Sequence, residues 1–238
     1  GYLFFNNYQR HRVMDAHKGV VFEAPCGAGS VALGPVDLPD ASYGFFPYGM
    51  KLGEAVLEKA LATPLCRLAA KDGADTYVFY GDFEPDYTWK DGKAADLVHL
   101  SRKDALNAWK VALDRDYLVI SDNYVWEEDG ALRVTGGADT VIRIFPEPVK
   151  APEGFVKKEN DGRFAVYERK QTQPAASAEV RLLARQDEDA TYEVTLHYPE
   201  GFDKGARTRG RDTLLWLTYA GFGMEISIDG EKVNDYFY

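Results

Sequence analysis

Apolar and polar residues alternate with a period of two along much of this chain. In Ala190-Thr-Tyr-Glu-Val-Thr-Leu-His-Tyr198, the residues Tyr192, Val194, Leu196 and Tyr198 fall on one face and Glu193, Thr195 and His197 on the other. Successive side chains of a strand point to opposite faces, so this segment reads as a strand packed on one side and turned to solvent or a second layer on the other. Aromatic and β-branched residues are dense in Leu3–Tyr8, Val20–Glu23, Ser30–Leu33, Val141–Phe145, Glu179–Leu183 and Leu214–Tyr219, which read as further strands. Asp-Gly recurs at Asp72-Gly73, Asp91-Gly92, Asp129-Gly130, Asp161-Gly162 and Asp229-Gly230. This dipeptide takes the positive φ that tight hairpins need. Four of the five lie between strand-like segments: Leu65–Ala69 with Thr76–Tyr80, Tyr124–Trp126 with Leu132–Val134, Gly154–Lys158 with Phe164–Glu168, and Met224–Ile228 with Lys232–Val233. The pattern predicts antiparallel sheet.

Helix signals are few. Ser101 stands three residues before Asp104, a variant of the capping box, and predicts a turn or two of helix over Ser101–Lys110. Glu54–Ala62 has helical propensity, although its neighbours on both sides read as strand. Three prolines, Pro146, Pro148 and Pro152, fall within Phe145–Gly154 and deny that segment a central-strand ladder. A domain boundary is therefore expected near Lys150. Gln171–Ala178 and Glu200–Arg211 read as polar or charged loops. The predicted fold class is all-β: two antiparallel β-sandwich or jelly-roll-like domains, residues 1–150 and 151–238, with at most one or two short helices.

Composition changes the picture mainly by exclusion. With 238 residues, 45% of them hydrophobic, the chain can build a sizeable core. A net charge of −10 opposes both a nucleic-acid backbone and an anionic membrane surface, so neither is expected as a partner. No apolar run is long enough to span a bilayer as a helix, and the first residues lack the form of a signal peptide. The chain opens on Gly1 without a starting Met, as a processed product or a piece of a longer polypeptide would. Cys26 and Cys66 sit among small or apolar residues and read as two buried thiols.

Candidate chemistry is sparse. Glu127-Glu128-Asp129 falls beside an expected hairpin turn and Asp187-Glu188-Asp189 between two expected strands, and both read as solvated acidic loops. Asp82, Glu84 and Asp86 alternate like a calcium loop but lack its central glycine and terminal glutamate. Neither Cys-x-x-Cys, Gly-x-Ser-x-Gly nor a phosphate-binding loop occurs, and the four histidines, His11, His17, His99 and His197, are scattered. No catalytic residue, metal ligand or cofactor is expected. The aromatic-rich segments Tyr43–Gly49 and Tyr80–Trp89 read as loops that place rings beside glycine, proline and carboxylates. That combination suits sugar stacking, with Tyr43, Tyr48, Tyr87 and Trp89 as candidate binding residues and Tyr87 and Trp89 foremost. The competing reading is that the rings plug the ends of a sandwich core.

Several segments, taken in order, resemble the β-rich region that follows the catalytic barrel in bacterial β-galactosidases of glycoside hydrolase family 35. They are Gly1–Arg10, Tyr43–Leu52, Ala62–Cys66, Asp104–Trp109, Tyr117–Ser121, Asp212–Gly221 and Ile228–Tyr238. The resemblance implies a non-catalytic structural region that packs on and supports the barrel of its parent polypeptide. The parent would release terminal β-galactose through two glutamates that lie outside this chain. A carbohydrate-binding module facing a galactose-containing glycan is the alternative. The sequence departs from the family in two ways. No βα alternation is present to hold a barrel, so the chain alone is expected to be inactive. Phe222 follows Gly221 where the family commonly carries an acidic residue. The resemblance also leads to a further loop and strand beyond Tyr238, so the second domain is expected to be incomplete.

Overall fold

The computed structural model describes residues 1–90, 92–135, 139–170, 176–187, 189–198 and 223–237. They form two compact units, Gly1–Ala175 and Ala176–Tyr238. The first unit begins with β1 (Tyr2–Asn7), β2 (His17–Cys26), β3 (Gly29–Leu38), β4 (Ser42–Leu52) and β5 (Ala55–Ala60). Next come β6 (Thr63–Leu68), β7 (Thr76–Tyr80), β8 (Tyr87–Lys90), β9 (Asp96–Leu100) and the short helix α1 (Arg102–Leu106). It closes with β10 (Ala108–Ala112), β11 (Asp116–Ile120), β12 (Val125–Glu128), β13 (Ala131–Val134), β14 (Thr140–Phe145), β15 (Val156–Lys157) and β16 (Ala165–Arg169). The second unit contains β17 (Ser177–Gln186), β18 (Asp189–His197), β19 (Gly223–Ile228) and β20 (Glu231–Phe237).

Strand order in the first unit is β1-β4-β5-β8 in one sheet, β6-β7-β9 in a second and β10-β11-β14-β16-β15 in a third, with β2-β3 and β12-β13 as separate hairpins. The β2-β3 hairpin covers the first sheet by packing Val31, Leu33, Val36 and Leu38 with Phe5 and Phe46. Leu57, Ala60 and Phe79 form a second cluster, joined by the half-buried Tyr87 and Trp89. A third joins Val78 and Val98 to Leu118, Phe145 and Phe164. Under the β12-β13 hairpin, Val125 and Val134 meet Ile142, Ile144 and Tyr167. Pairing is antiparallel except for β9, which lies parallel to β7. In the second unit, β17 pairs with β18 and β19 with β20, each as an antiparallel hairpin.

All four Asp-Gly hairpins form. Asp129 and Gly130 both take positive φ, 52° and 74°, as do Asp229 and Gly230, at 50° and 84°. Two successive positive φ values define the two-residue turn whose twist matches the flanking strands. The turn at Ser101 also forms, with Ser101 Oγ accepting from the Asp104 backbone N–H at 3.1 Å.

Several expectations are corrected. The boundary near Lys150 falls inside the first unit, because β16 returns to pair with β14 from Thr140↔Arg169 to Ile144↔Ala165. Phe155, Ala165 and Tyr167 are buried in the same core as Val111 and Val119. The prolines mark a long connection within one sheet, not a linker. Glu54–Ala62 contains strand β5, because Gly53 at φ 60° turns the chain back onto β4 and Leu57 and Ala60 are buried between their neighbours. Cross-strand pairing and burial override helical propensity there. Tyr43–Gly49 is not a loop but most of β4, with Ser42–Pro47 paired to β1 and Tyr48–Leu52 to β5. Cys26 is an exposed thiol and Cys66 a half-buried one, and they form no disulfide. Asp91, Glu188, residues 171–175 of the expected polar loop, the segments 200–211 and 214–219 expected as loop and strand, the family-like segment Asp212–Gly221, Phe222 and Tyr238 lie outside the described residues, while Ser177 and Ala178 of the expected polar loop begin β17.

Candidate functional site

Two surfaces of the first unit carry side chains that burial does not explain. One starts at β1, whose sequence is apolar on both faces. Phe5 is buried and Leu3 packs beside it on the β2-β3 cluster, whereas Tyr2 and Phe4 point the other way and are 49% and 75% exposed. Phe4 stands directly across the ladder from Phe45, their ring centroids 5.2 Å apart, and Tyr2 meets Phe45 edge to face at 5.5 Å. With Pro64, Leu65 and Tyr77 these rings form the apolar part of a groove of about 800 Å³ that Lys51, Arg67 and Asp75 also line. Exposed contiguous apolar surface of this kind marks an interaction site more often than a free surface.

The second surface is a groove of about 550 Å³ between the end of β3, the start of β4, the β7-β8 loop and α1. Tyr43, 52% exposed, forms part of its wall. Helix α1 aims Arg102 into it. The Arg102 guanidinium lies 4.8 Å from the Tyr43 ring centroid, donates from Nε to Asp82 Oδ2 at 2.6 Å, and donates from Nη2 to the Tyr43 carbonyl at 2.8 Å. Burial opposes the charge, but the Asp82 hydrogen bond and carboxylate outweigh it and hold Arg102 more firmly protonated than usual. Glu84, Asp37 and Asp40 also line the groove. Asp37 and Asp40 each accept one backbone N–H through Oδ1, from Gly19 at 2.8 Å and Met14 at 2.9 Å.

The four rings singled out from the sequence join different clusters. Tyr43 meets Tyr8, with centroids 6.5 Å apart, and Arg102. Tyr48 packs against the Phe5 cluster, while Tyr87 and Trp89 pack against Leu57 and Phe79. Tyr87 contacts Phe79 edge to face and shares a 2.7 Å hydrogen bond between its hydroxyl and His99 Nδ1. Burial pushes the Tyr87 phenol well above its usual range. Burial also lowers the His99 imidazole, with Glu84 partly opposing. A protonated phenol and a neutral imidazole therefore share that bond, which ties β8 of one sheet to β9 of the next.

Glu127, Glu128 and Asp86 have partners within the fold. Glu127 accepts from the Gly130 N–H within its hairpin, Glu128 faces Arg133 at 3.6 Å, and Asp86 faces Lys59 at 3.9 Å. Among the described residues no group of three or more His, Cys, Asp and Glu is arranged to hold a metal ion. No helix among them is long and apolar enough to cross a membrane. Sequence reasoning missed Arg102 as a groove residue. Its only signal was its place directly after the Ser101 cap. No protein-family model matches the chain, and a search of curated proteins returns no match.

Proposed function

We propose that this chain is a non-catalytic structural region of a β-galactosidase of glycoside hydrolase family 35, which packs on and supports the catalytic barrel. The observation that carries the reading is the second apolar face of β1. A strand apolar on both faces is the pattern of a strand covered on both sides, and here only the Leu3–Phe5 side is covered within the described residues. The Tyr2–Phe4–Phe45 face is the surface that the barrel would bury. Inward packing of Tyr87 and Trp89 supports the same reading, because it removes from solvent most of the two rings best placed for a sugar platform. The carbohydrate-binding alternative retains Tyr43.

The test mixes the purified chain with a separately produced family 35 barrel and follows association by sedimentation, with a chromogenic β-galactoside assay alongside. Expected are a complex, weakened at least about tenfold by Phe4→Asp, and no turnover by the chain alone. Turnover by the chain alone, or failure of the wild-type chain to associate, contradicts the proposal.

A further inference from the structure

We propose that the groove at the start of β4 binds a neutral sugar of one or two rings, held by Tyr43, Arg102, Asp82 and Glu84. The inference rests on the carbohydrate-binding alternative and uses none of the Tyr2–Phe4–Phe45 face, so it stands or falls apart from the docking proposal.

Size comes first. About 550 Å³ lies within the range of small-molecule sites, roughly 300–1,000 Å³. Chemistry comes next. A pyranose offers an apolar C–H face and a ring of hydroxyls, so it needs an exposed aromatic ring beside acceptors and donors fixed in place. Tyr43 supplies the exposed ring, and the half-buried Phe83, packed edge to face on Phe5 and Phe46, forms part of the groove wall. Asp82 and the Tyr43 carbonyl lock Arg102, yet its Nη1 makes no hydrogen bond among the described residues and remains a donor. The Glu84 carboxylate is exposed and makes none there either, and Asp37 and Asp40 each keep Oδ2 as an acceptor. A donor already immobilised in the free protein loses little freedom on binding. Charge then selects the ligand. Carboxylates outnumber the one guanidinium, which disfavours uronic acids, sulfated sugars and phosphates.

The experiment titrates the full chain by calorimetry with galactose, glucose, mannose and lactose, with galacturonate as the charged comparator. Variants are Tyr43→Ala, Glu84→Gln and Phe4→Asp, each checked for native circular dichroism. Expected is saturable binding of at least one neutral sugar, weakened about tenfold or more by Tyr43→Ala and by Glu84→Gln and unchanged in Phe4→Asp. Galacturonate should bind at least about tenfold more weakly than galactose. Absence of saturable binding to any of the neutral sugars overturns the proposal. So does binding that survives both groove variants, an equal loss in Phe4→Asp, or galacturonate binding as tightly as galactose.

Discussion

Tyr43 and Tyr87 stand in similar sequence company, each in an aromatic segment punctuated by glycine and proline, and the fold treats them differently. Tyr43 sits at the start of β4, half exposed beside a guanidinium that two other groups hold still. Tyr87 opens β8, where its ring closes over Phe79 and its hydroxyl joins His99. The difference is one of place within a sheet. The cluster of Leu57 and Phe79 needs a cover, and Tyr87 and Trp89 are what the β5-β8 pairing brings to it. At the start of β4 the cluster below is already closed by Phe5, Phe46 and the β2-β3 hairpin, so Tyr43 is left at the surface. Aromatic richness in a sequence therefore marks where rings are, and the ladder decides which of them are structural.

Cutting into the Tyr87 region should have the largest effect. Phe79→Ala removes a ring that is 1% exposed, and should lower unfolding free energy by about 4 kcal/mol in urea titration. A loss below about 1 kcal/mol would mean that the cluster is not closed as described. Next is Tyr87→Phe, which keeps the packing but leaves His99 Nδ1 without its partner. A loss of about 1–2 kcal/mol is expected, and a neutral result would show the hydrogen bond to be unimportant.

A pH titration sharpens the same contrast. Burial lowers the His99 imidazole in the folded chain, whereas in the unfolded chain it keeps its ordinary value near ~6.5. Below that pH the unfolded chain takes up a proton that the folded chain resists. The His99 contribution is thus fully present above the unfolded value and is lost as pH falls from there through the folded one. His99→Gln should flatten this part of the stability profile, and an unchanged slope as pH falls below the ordinary imidazole value would contradict the burial argument. Asp96 acts in a lower window: burial raises it, but hydrogen bonds from Arg163 and Thr76 outweigh that and hold it below the usual carboxylate range, so its contribution fades in acid. The smallest effect should come from Tyr43→Ala, which is expected to change unfolding free energy by no more than about 0.5 kcal/mol. A larger loss would make Tyr43 a structural ring like Tyr87.

The all-β class and the four Asp-Gly hairpins were legible because both signals are local: alternation of period two, and a dipeptide suited to positive φ. Helix α1 was legible for the same reason, through Ser101 and Asp104. Strand β5 was not, since Ala55–Ala60 is held as a strand by the Gly53 turn back onto β4 together with burial of Leu57 and Ala60 beside β8 and Phe79, which are remote in sequence. The return of β16 to β14 was hidden in the same way. Prolines at 146, 148 and 152 report a break in a ladder, and nothing local tells whether the chain then leaves the sheet or comes back to it. For the candidate groove, Tyr43, Asp82 and Glu84 were visible as residue types. Their meeting with Arg102 depends on where α1 docks, which no spacing encodes. Equally, the second apolar face of β1 is plain in Tyr2-Leu-Phe-Phe5, but only the structure shows which face the β2-β3 hairpin covers.

Hydroxyl-radical footprinting read by mass spectrometry, with and without a family 35 barrel, addresses both surfaces at once. Free chain should be labelled strongly at Tyr2, Phe4 and Tyr43 and weakly at Tyr87 and Trp89. On adding the barrel, Tyr2 and Phe4 should become protected while Tyr43 stays reactive. Labelling of Phe4 that the barrel leaves unchanged would contradict the proposal that this face is where the chain packs on its catalytic partner.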